Sequence, residues 1–318
     1  MTESTLQPTK DSRVCVVGGG AIGSLHIELH TNGVGIDGVG IVEVNDVLRK
    51  SYSDQGYQTY VNLEDSFADG YKVYDICVPT FLHLQVIKAI LFETDAMIMC
   101  EKPLVLNWSE MEALVQAHPD SEERLVCAFV ERFNEPFIKA KAWAENHDGP
   151  YVMEFVRRTK KPVRQDWVKD PAKGGEIILD LGIHDIDASL WFSGSELDSV
   201  TKYESGIDSE IFEVRFKDGS TAKYTAGWDV PQDSEIGIIN TFKLKTKNNN
   251  IHYDSSMETI SFDDTKLSVI PRFPVAYQKE VDAARQLRNA IDVRFPKFEE
   301  LKKSYQVFDA FKKERNVS

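Results

Sequence analysis

A chain of 318 residues can hold two cores, and 42% apolar with 10% aromatic residues marks it as globular rather than disordered. Its formal charge of -14 repels phosphate backbones and anionic lipid, so neither nucleic acid nor membrane is expected as a partner. No apolar run approaches the roughly 18 residues of a membrane span, and the polar first dozen residues carry no signal-peptide pattern. Cys15, Cys77, Cys100 and Cys127 sit in strand-like apolar runs without a CxxC pair, as reduced thiols of a cytoplasmic protein would.

The first predicted strand is Arg13-Val14-Cys15-Val16-Val17, which breaks into Gly18-Gly19-Gly20-Ala21-Ile22-Gly23 and then a helical stretch. Gly18, Gly20 and Gly23 occupy the GxGxxG positions, and the helix start at Ala21, Ile22 and Gly23 offers amides to a pyrophosphate. A second apolar run, Val39 to Val44, carries Glu43 about 20 residues beyond the last motif glycine, where an acidic side chain meets the adenosine ribose. Asn45 is a weaker candidate for that task. Glu43 would repel a 2'-phosphate, and no cation follows it before Arg49 and Lys50, so NAD is expected rather than NADP.

Strands are predicted at Tyr57 to Val61, Val73 to Val78, Ala96 to Cys100 and Leu125 to Phe129, with helices near Leu82 to Leu91 and Ser109 to Ala117. Such alternation argues for a doubly wound parallel sheet whose ligands bind at the carboxyl ends of its strands. Two of those ends carry Pro79-Thr80-Phe81-Leu82-His83 and Glu101-Lys102-Pro103. Pro103 keeps Lys102 extended, so this lysine projects from its strand end or is an ordinary surface residue.

Arg132 and Asn134 follow in a linker, facing a cleft or anchoring the linker by salt bridges, and a helix continues from Ile138 to Trp143. Tyr151 to Val156 reads as a strand ending in the basic run Arg157 to Lys161. With Arg164 and Trp167, that run is either a solvated loop or a polar wall in which Arg158 or Arg164 meets an anion and Trp167 stacks on a sugar. Beyond Gly174 and Gly175, the stretch Glu176 to Phe192 is apolar around most of a helix. Asp180, His184 and Asp187 nevertheless share one stripe at i, i+4 and i+7. On a buried helix these groups are hydrogen-bonded to each other or do chemistry. No third ligand completes a metal site with them, and none is expected.

Strands follow at Glu210 to Phe216, Thr221 to Trp228, Ile236 to Leu244 and Ile251 to Tyr253, then helices near Val275 to Ile291 and Phe298 to Lys313. They make a mostly antiparallel sheet with one helix-covered face. Ile211, Tyr224, Trp228 and Phe242 are read as apolar groups for pairing its other face, hence a homo-oligomer.

Four motifs in order, Gly18-x-Gly20-x-x-Gly23-x-x-His26, Pro79-x-x-x-His83, Glu101-Lys102-Pro103 and Gly174-Gly175 leading to Asp180-x-x-x-His184, resemble the glucose-fructose oxidoreductase and inositol dehydrogenase family. The resemblance implies a Rossmann domain over 11–128 and an α/β domain with a large open sheet over 129–318, with C-terminal helices able to pack back on the first. It implies hydride transfer between NAD and a sugar, inositol or related polyol. Carried over by position, Lys102, Asp180 and His184 form the catalytic set, with His184 as general base. Glu43 is the ribose ligand, and Pro79, Thr80, His83, Glu101 and Lys102 line the cofactor. Arg132, Arg158 and Trp167 are candidates for substrate contact beside the catalytic set. Glu176 departs from the pattern, standing where many members have a third glycine. Two other outcomes stay open: an enzyme that retains NAD while processing a glycoside, and a dinucleotide-binding regulator without turnover.

Overall fold

The computed structural model describes residues 13–163, 166–174, 176–263, 265–269 and 272–315, so Arg164 and Gly175 lie outside the described residues. The chain divides into two units: Met1–Val105 with Ser109–Ala128 and Tyr277–Phe295, and Leu106–Trp108 with Phe129–Ala276 and Pro296–Ser318.

In the first unit, β1 (Val14–Val17), β2 (Val39–Val42), β3 (Gln58–Tyr60), β4 (Val73–Ile76), β5 (Met97–Glu101) and β6 (Leu125–Ala128) form one sheet in the order β3-β2-β1-β4-β5-β6. Every pair is parallel, which is the Rossmann order with its switch point between β1 and β4. Strands β1, β2, β4 and β6 are buried along their whole length, so they read as near-continuous apolar runs rather than alternating ones, interrupted in β4 by Asp75. The helices are α1 (Ala21–Val34), α2 (Asp46–Asp54), α3 (Thr80–Glu93), α4 (Trp108–Ala117), which begins on the other unit's Trp108, and α5 (Ser121–Arg124).

Helix α2 has no apolar face to announce it. None of its residues is buried, and Val47 is 79% exposed. Its start is set by Asn45, whose Oδ1 accepts from the amides of Val47 and Leu48 at 3.0 Å each. Asn45 is therefore a helix cap, with its side-chain oxygen committed to the start of α2.

The second unit holds β7 (Val152–Lys160), β8 (Leu197–Ser205), β9 (Ser209–Phe216), β10 (Thr221–Val230), β11 (Ile238–Lys245), β12 (Asn250–Asp254), β13 (Thr259–Phe262) and β14 (Thr265–Ser268), in the order β14-β13-β12-β11-β7-β10-β9-β8. Only β7 and β10 pair in parallel. One face carries Phe155, Phe212, Tyr224, Phe242 and Tyr253, all buried. Across it lie α6 (Glu135–Glu145), α7 (Ile183–Ser193) and α9 (Phe298–Arg315), while α8 (Arg272–Arg285) bridges the residue ranges of both units. Phe137 of α6 lies 5.0 Å from Phe242, Phe192 of α7 lies 5.8 Å from Phe242, and Phe311 of α9 lies 5.0 Å from Phe212, centroid to centroid.

This packing corrects three of the four residues read as an oligomer face and leaves Ile211, which registers with Thr225, on the face away from the helices. Tyr224, Trp228 and Phe242 are buried, and Tyr224 and Phe242 point toward the helices because both register with Phe155. The other face mixes ion pairs, Lys223 opposite Glu213 at 3.9 Å and Lys243 opposite Glu154 at 3.7 Å, with the apolar Val152, Val156, Ile211 and Ile239. No described helix is long and apolar enough to cross a membrane.

Candidate active site

In the first unit the three motif glycines serve different ends. Gly18 has φ +99°, and a Cβ there would press within 3.0 Å of the Cys77 carbonyl. A Cβ on Gly23 would lie 1.8 Å from the Gly18 oxygen. Gly20, by contrast, has nothing within 4 Å of its missing Cβ, and no side chain caps the helix that starts after it. Open space beside an uncapped helix start fits a pyrophosphate, held by the amides of the first turn at Ala21, Ile22 and Gly23.

Glu43 is buried at the end of β2, with Oε2 accepting from the Gly19 amide and Oε1 from the Asn45 amide, both at 2.7 Å. Its remaining lone pairs suit a ribose diol. Tyr52 braces the same loop by donating to the Gly19 carbonyl at 2.8 Å. The two nearby cations are engaged: Arg49 donates to the Glu43 carbonyl at 2.9 Å and pairs with Asp46, and Lys50 pairs with Asp54 at 2.8 Å. A 2'-phosphate would meet the Glu43 carboxylate and two already neutralised cations, so the loop fits NAD better than NADP.

Pro79 precedes α3 and Thr80 opens it, buried. His83 is also buried, and its two ring nitrogens lie 2.9 Å from the carbonyls of Val78 and Pro103. Burial lowers its pKa, so the neutral ring donates to one of them. His83 thereby ties the loop after β4 to the loop after β5, and both ring nitrogens face backbone rather than a ligand. At the end of β5, Glu101 Oε2 accepts from the Lys102 amide at 3.1 Å.

In the second unit the stretch from Ile178 to Gly182 is a π-helical turn that runs directly into α7. Such turns recur at functional sites because they re-aim side chains. Just before it Glu176 holds φ +72°, a left-handed conformation that glycine adopts without cost. Asp180, on the turn, accepts from the indole N–H of Trp228 at 3.3 Å. His184, on the first turn of α7, is 6% exposed and meets the Phe129 ring edge-on at 6.0 Å.

The carboxylates that follow His184 belong to arginines. Arg157 binds Asp185 at 2.8 Å and Glu131 at 2.7 Å, and Asn134 and Asn240 donate to the same Glu131 at 2.7 and 3.1 Å. Arg132 grips Asp187 through Nε and Nη2 at 2.8 and 2.7 Å and reaches Glu300 at 3.0 Å. Two buried arginines thus clamp the helix that carries the imidazole.

Several expected substrate contacts are reassigned by these pairs. Arg132 is buried with its guanidinium edges taken, which is the salt-bridged linker rather than the cleft-facing residue. Asp187 leaves the Asp180 and His184 stripe for Arg132. Arg158 is bidentate to Asp229 at 2.7 Å on both arms, Lys161 pairs with Asp208 at 2.6 Å, and Lys160 donates to the Gln232 carbonyl at 2.9 Å. The basic run is therefore a balanced extension of β7, with Arg157 turned inward. Trp167 sits half-buried in a single 3₁₀ turn. Lys102 belongs to the first unit, Asp180 and His184 to the second. Trp228 and Arg157 went unrecognised in the sequence as partners of the Asp180 and His184 segment. Strand parity was the one available cue, since both fall on inward positions.

Residues 12–129 match the model of an oxidoreductase family with an NAD-binding Rossmann fold, and residues 150–242 match the GFO/IDH/MocA C-terminal domain. The uncharacterized oxidoreductase YrbE of Bacillus subtilis is 28% identical over 238 residues, 67% of this chain and 66% of its own length. Myo-inositol 2-dehydrogenase of Thermotoga maritima is 25% identical over 229 residues, 65% of this chain and 66% of its own. The chain thus covers just under two thirds of both relatives. The crystal structure of GenD2 from gentamicin A biosynthesis, in complex with NAD, shares the fold with a TM-score of 0.78 at 18% identity, over 98% of this chain and 95% of its own. With one family model on each sheet and the dinucleotide loop in place, this chain belongs to the GFO/IDH/MocA family of NAD-binding oxidoreductases.

Proposed function

We propose that the protein is an NAD-dependent dehydrogenase that oxidises a secondary alcohol of a sugar, inositol or related polyol. The observation that carries this reading is the aspartate and imidazole presented by a π-helical turn and a helix clamped by two buried arginines. Similarity to an enzyme named myo-inositol 2-dehydrogenase supports the substrate class. Bound NAD supplies the hydride acceptor. His184 takes the hydroxyl proton as general base. Lys102 holds the substrate oxygen and offsets charge developing on it. Asp180, held by Trp228, orients the substrate hydroxyls.

The test is absorbance at the reduced-nicotinamide band, with NAD and NADP in parallel, across inositols, aldoses, sugar phosphates and nucleotide sugars. Reduction of NAD by one class supports the reading and names the class. Silence across the panel, with NAD binding confirmed by titration, overturns it. Lys102→Ala and His184→Ala should each lower kcat by about 100-fold or more while NAD affinity stays within about twofold; normal turnover in either variant removes that residue from the mechanism. Self-association through the open face of the second sheet belongs to the same proposal. Sedimentation across protein concentrations checks it, and a monomer throughout removes this part of the proposal.

A further inference from the structure

His26 completes the glycine motif of the first unit, yet nothing in the nucleotide loop's geometry explains a histidine there. It lies on α1 with no exposed surface, as does His30 one turn later. Both rings converge on one oxygen of Asp75, a fully buried residue of β4: His26 Nδ1 at 2.8 Å and His30 Nε2 at 2.9 Å. The far nitrogen of His26, Nε2, faces Glu101 Oε1 at 3.5 Å. The second oxygen of Glu101 accepts the Lys102 amide. A continuous line therefore runs from Asp75 through His26 and Glu101 to the backbone of Lys102.

We propose that His26 is a positioning residue for Lys102, acting through the mostly buried carboxylate of Glu101. This rests on reading Lys102 as the group that holds the substrate oxygen. A carboxylate removed from water keeps its charge only beside a counter-charge. Burial raises the Glu101 pKa, and the His26 ring and the Lys102 ammonium oppose that rise. The His26 ring is the cation of the cluster. Burial disfavours its charge, but Asp75, Glu101 and Glu280 outweigh burial and push its pKa up to about 9. His30, beside Arg285 and His26, goes down instead, chiefly through burial. Cys77 also faces the couple, 3.5 Å from His26 Nδ1, as a thiol whose pKa burial raises well above its ordinary value. Tyr277 closes the far side with its ring edge-on at 6.1 Å. With His26 charged, the Glu101 carboxylate has a counter-charge beside it and is held at both oxygens, one toward the ring and the other on the Lys102 amide. With His26 neutral or absent, the Glu101 carboxylate loses the counter-charge on the oxygen that faces the ring, and that orientation is lost.

Two experiments test this. The first is a cycle of His26→Asn, Glu101→Gln and the double variant, each checked for folding by thermal melt, using the substrate that reduces NAD. The single variants should lower kcat by about 10-fold to 100-fold, with the NAD dissociation constant within about twofold, and the double should be no slower than the slower single. The fall in kcat above about pH 9 in the parent should be absent from His26→Asn. Independent, multiplying losses, or an unchanged pH profile, overturn the proposal. The second needs no turnover: ¹⁵N resonances of the His26 ring should titrate near 9 in the parent and lower in Glu101→Gln. An unchanged midpoint overturns the coupling. Normal turnover in Lys102→Ala would instead sink the role of Lys102, and the ring titration would still report whether His26 and Glu101 are coupled.

Discussion

Glu43 is oriented before any ribose arrives, because the Gly19 and Asn45 amides each hold one of its oxygens. Glu43→Gln keeps one amide partner and surrenders the charge. A charge-assisted hydrogen bond contributes about 1.5–3 kcal/mol, so NAD affinity should drop by about tenfold or more while affinity for NADP holds or improves. Fluorescence titration with both dinucleotides checks this, and parallel losses for the two would deny Glu43 a role in discrimination. Trp228→Phe is the matching probe in the second unit, keeping the ring and deleting the N–H that reaches Asp180. Loss of one hydrogen bond worth about 1 kcal/mol should slow turnover several-fold with NAD affinity untouched. Glu43 was legible because its distance from the glycine motif is set by the length of one helix and one strand. Trp228 was not, because its partner lies 48 positions away and only three-dimensional register brings the two together.

At the scale of elements, the stretch from Glu176 to Ser193 carries a local cost at its start and a clamp along its length. A non-glycine residue in the left-handed region costs roughly 1–2 kcal/mol, partly offset by glycine's greater flexibility when unfolded. Glu176→Gly should therefore stabilise by about 0.5–1 kcal/mol in urea melts; a loss of stability would mean that contacts of the Glu176 side chain outweigh the strain. Arg157→Ala acts the other way, leaving Glu131 and Asp185 buried without their cation, and should destabilise by about 3–5 kcal/mol. The central helix was visible as an apolar run with a charged stripe, but the π-helical turn within it was not. Nor was α2, whose residues are all unburied, or the polar edge strands β8 and β14, which lack the alternation that marked β9 and β11. Strand β7 was read four residues too short because its inward arginine looks like loop polarity until Glu131 and Asp185 are placed beside it.

Across the whole molecule the two units bury charge by different chemistry, and pH should separate them. The first unit relies on His26 against Asp75 and Glu101. The pKa of His26 rises from 6.5 to about 9, so its contribution is complete below 6.5 and is lost as pH climbs through 9. Asp75 is held below its ordinary 3.8, so its contribution exists above about 4 and disappears only in acid. The second unit relies on Arg132 and Arg157, whose raised pKa values keep them charged throughout. Between pH 6.5 and 10 the first unit should therefore lose on the order of 3 kcal/mol through this couple, while the arginine pairs lose nothing. Urea titrations at the two pH values, each read by hydrogen-exchange labelling at one fixed pH, resolve the units. Protection of β1 and β4 should collapse at lower urea at pH 10, with β7 and β10 shifting less. In His26→Asn the pH-dependent gap should close. Equal shifts in both sheets would show that the alkaline loss arises outside the His26 couple.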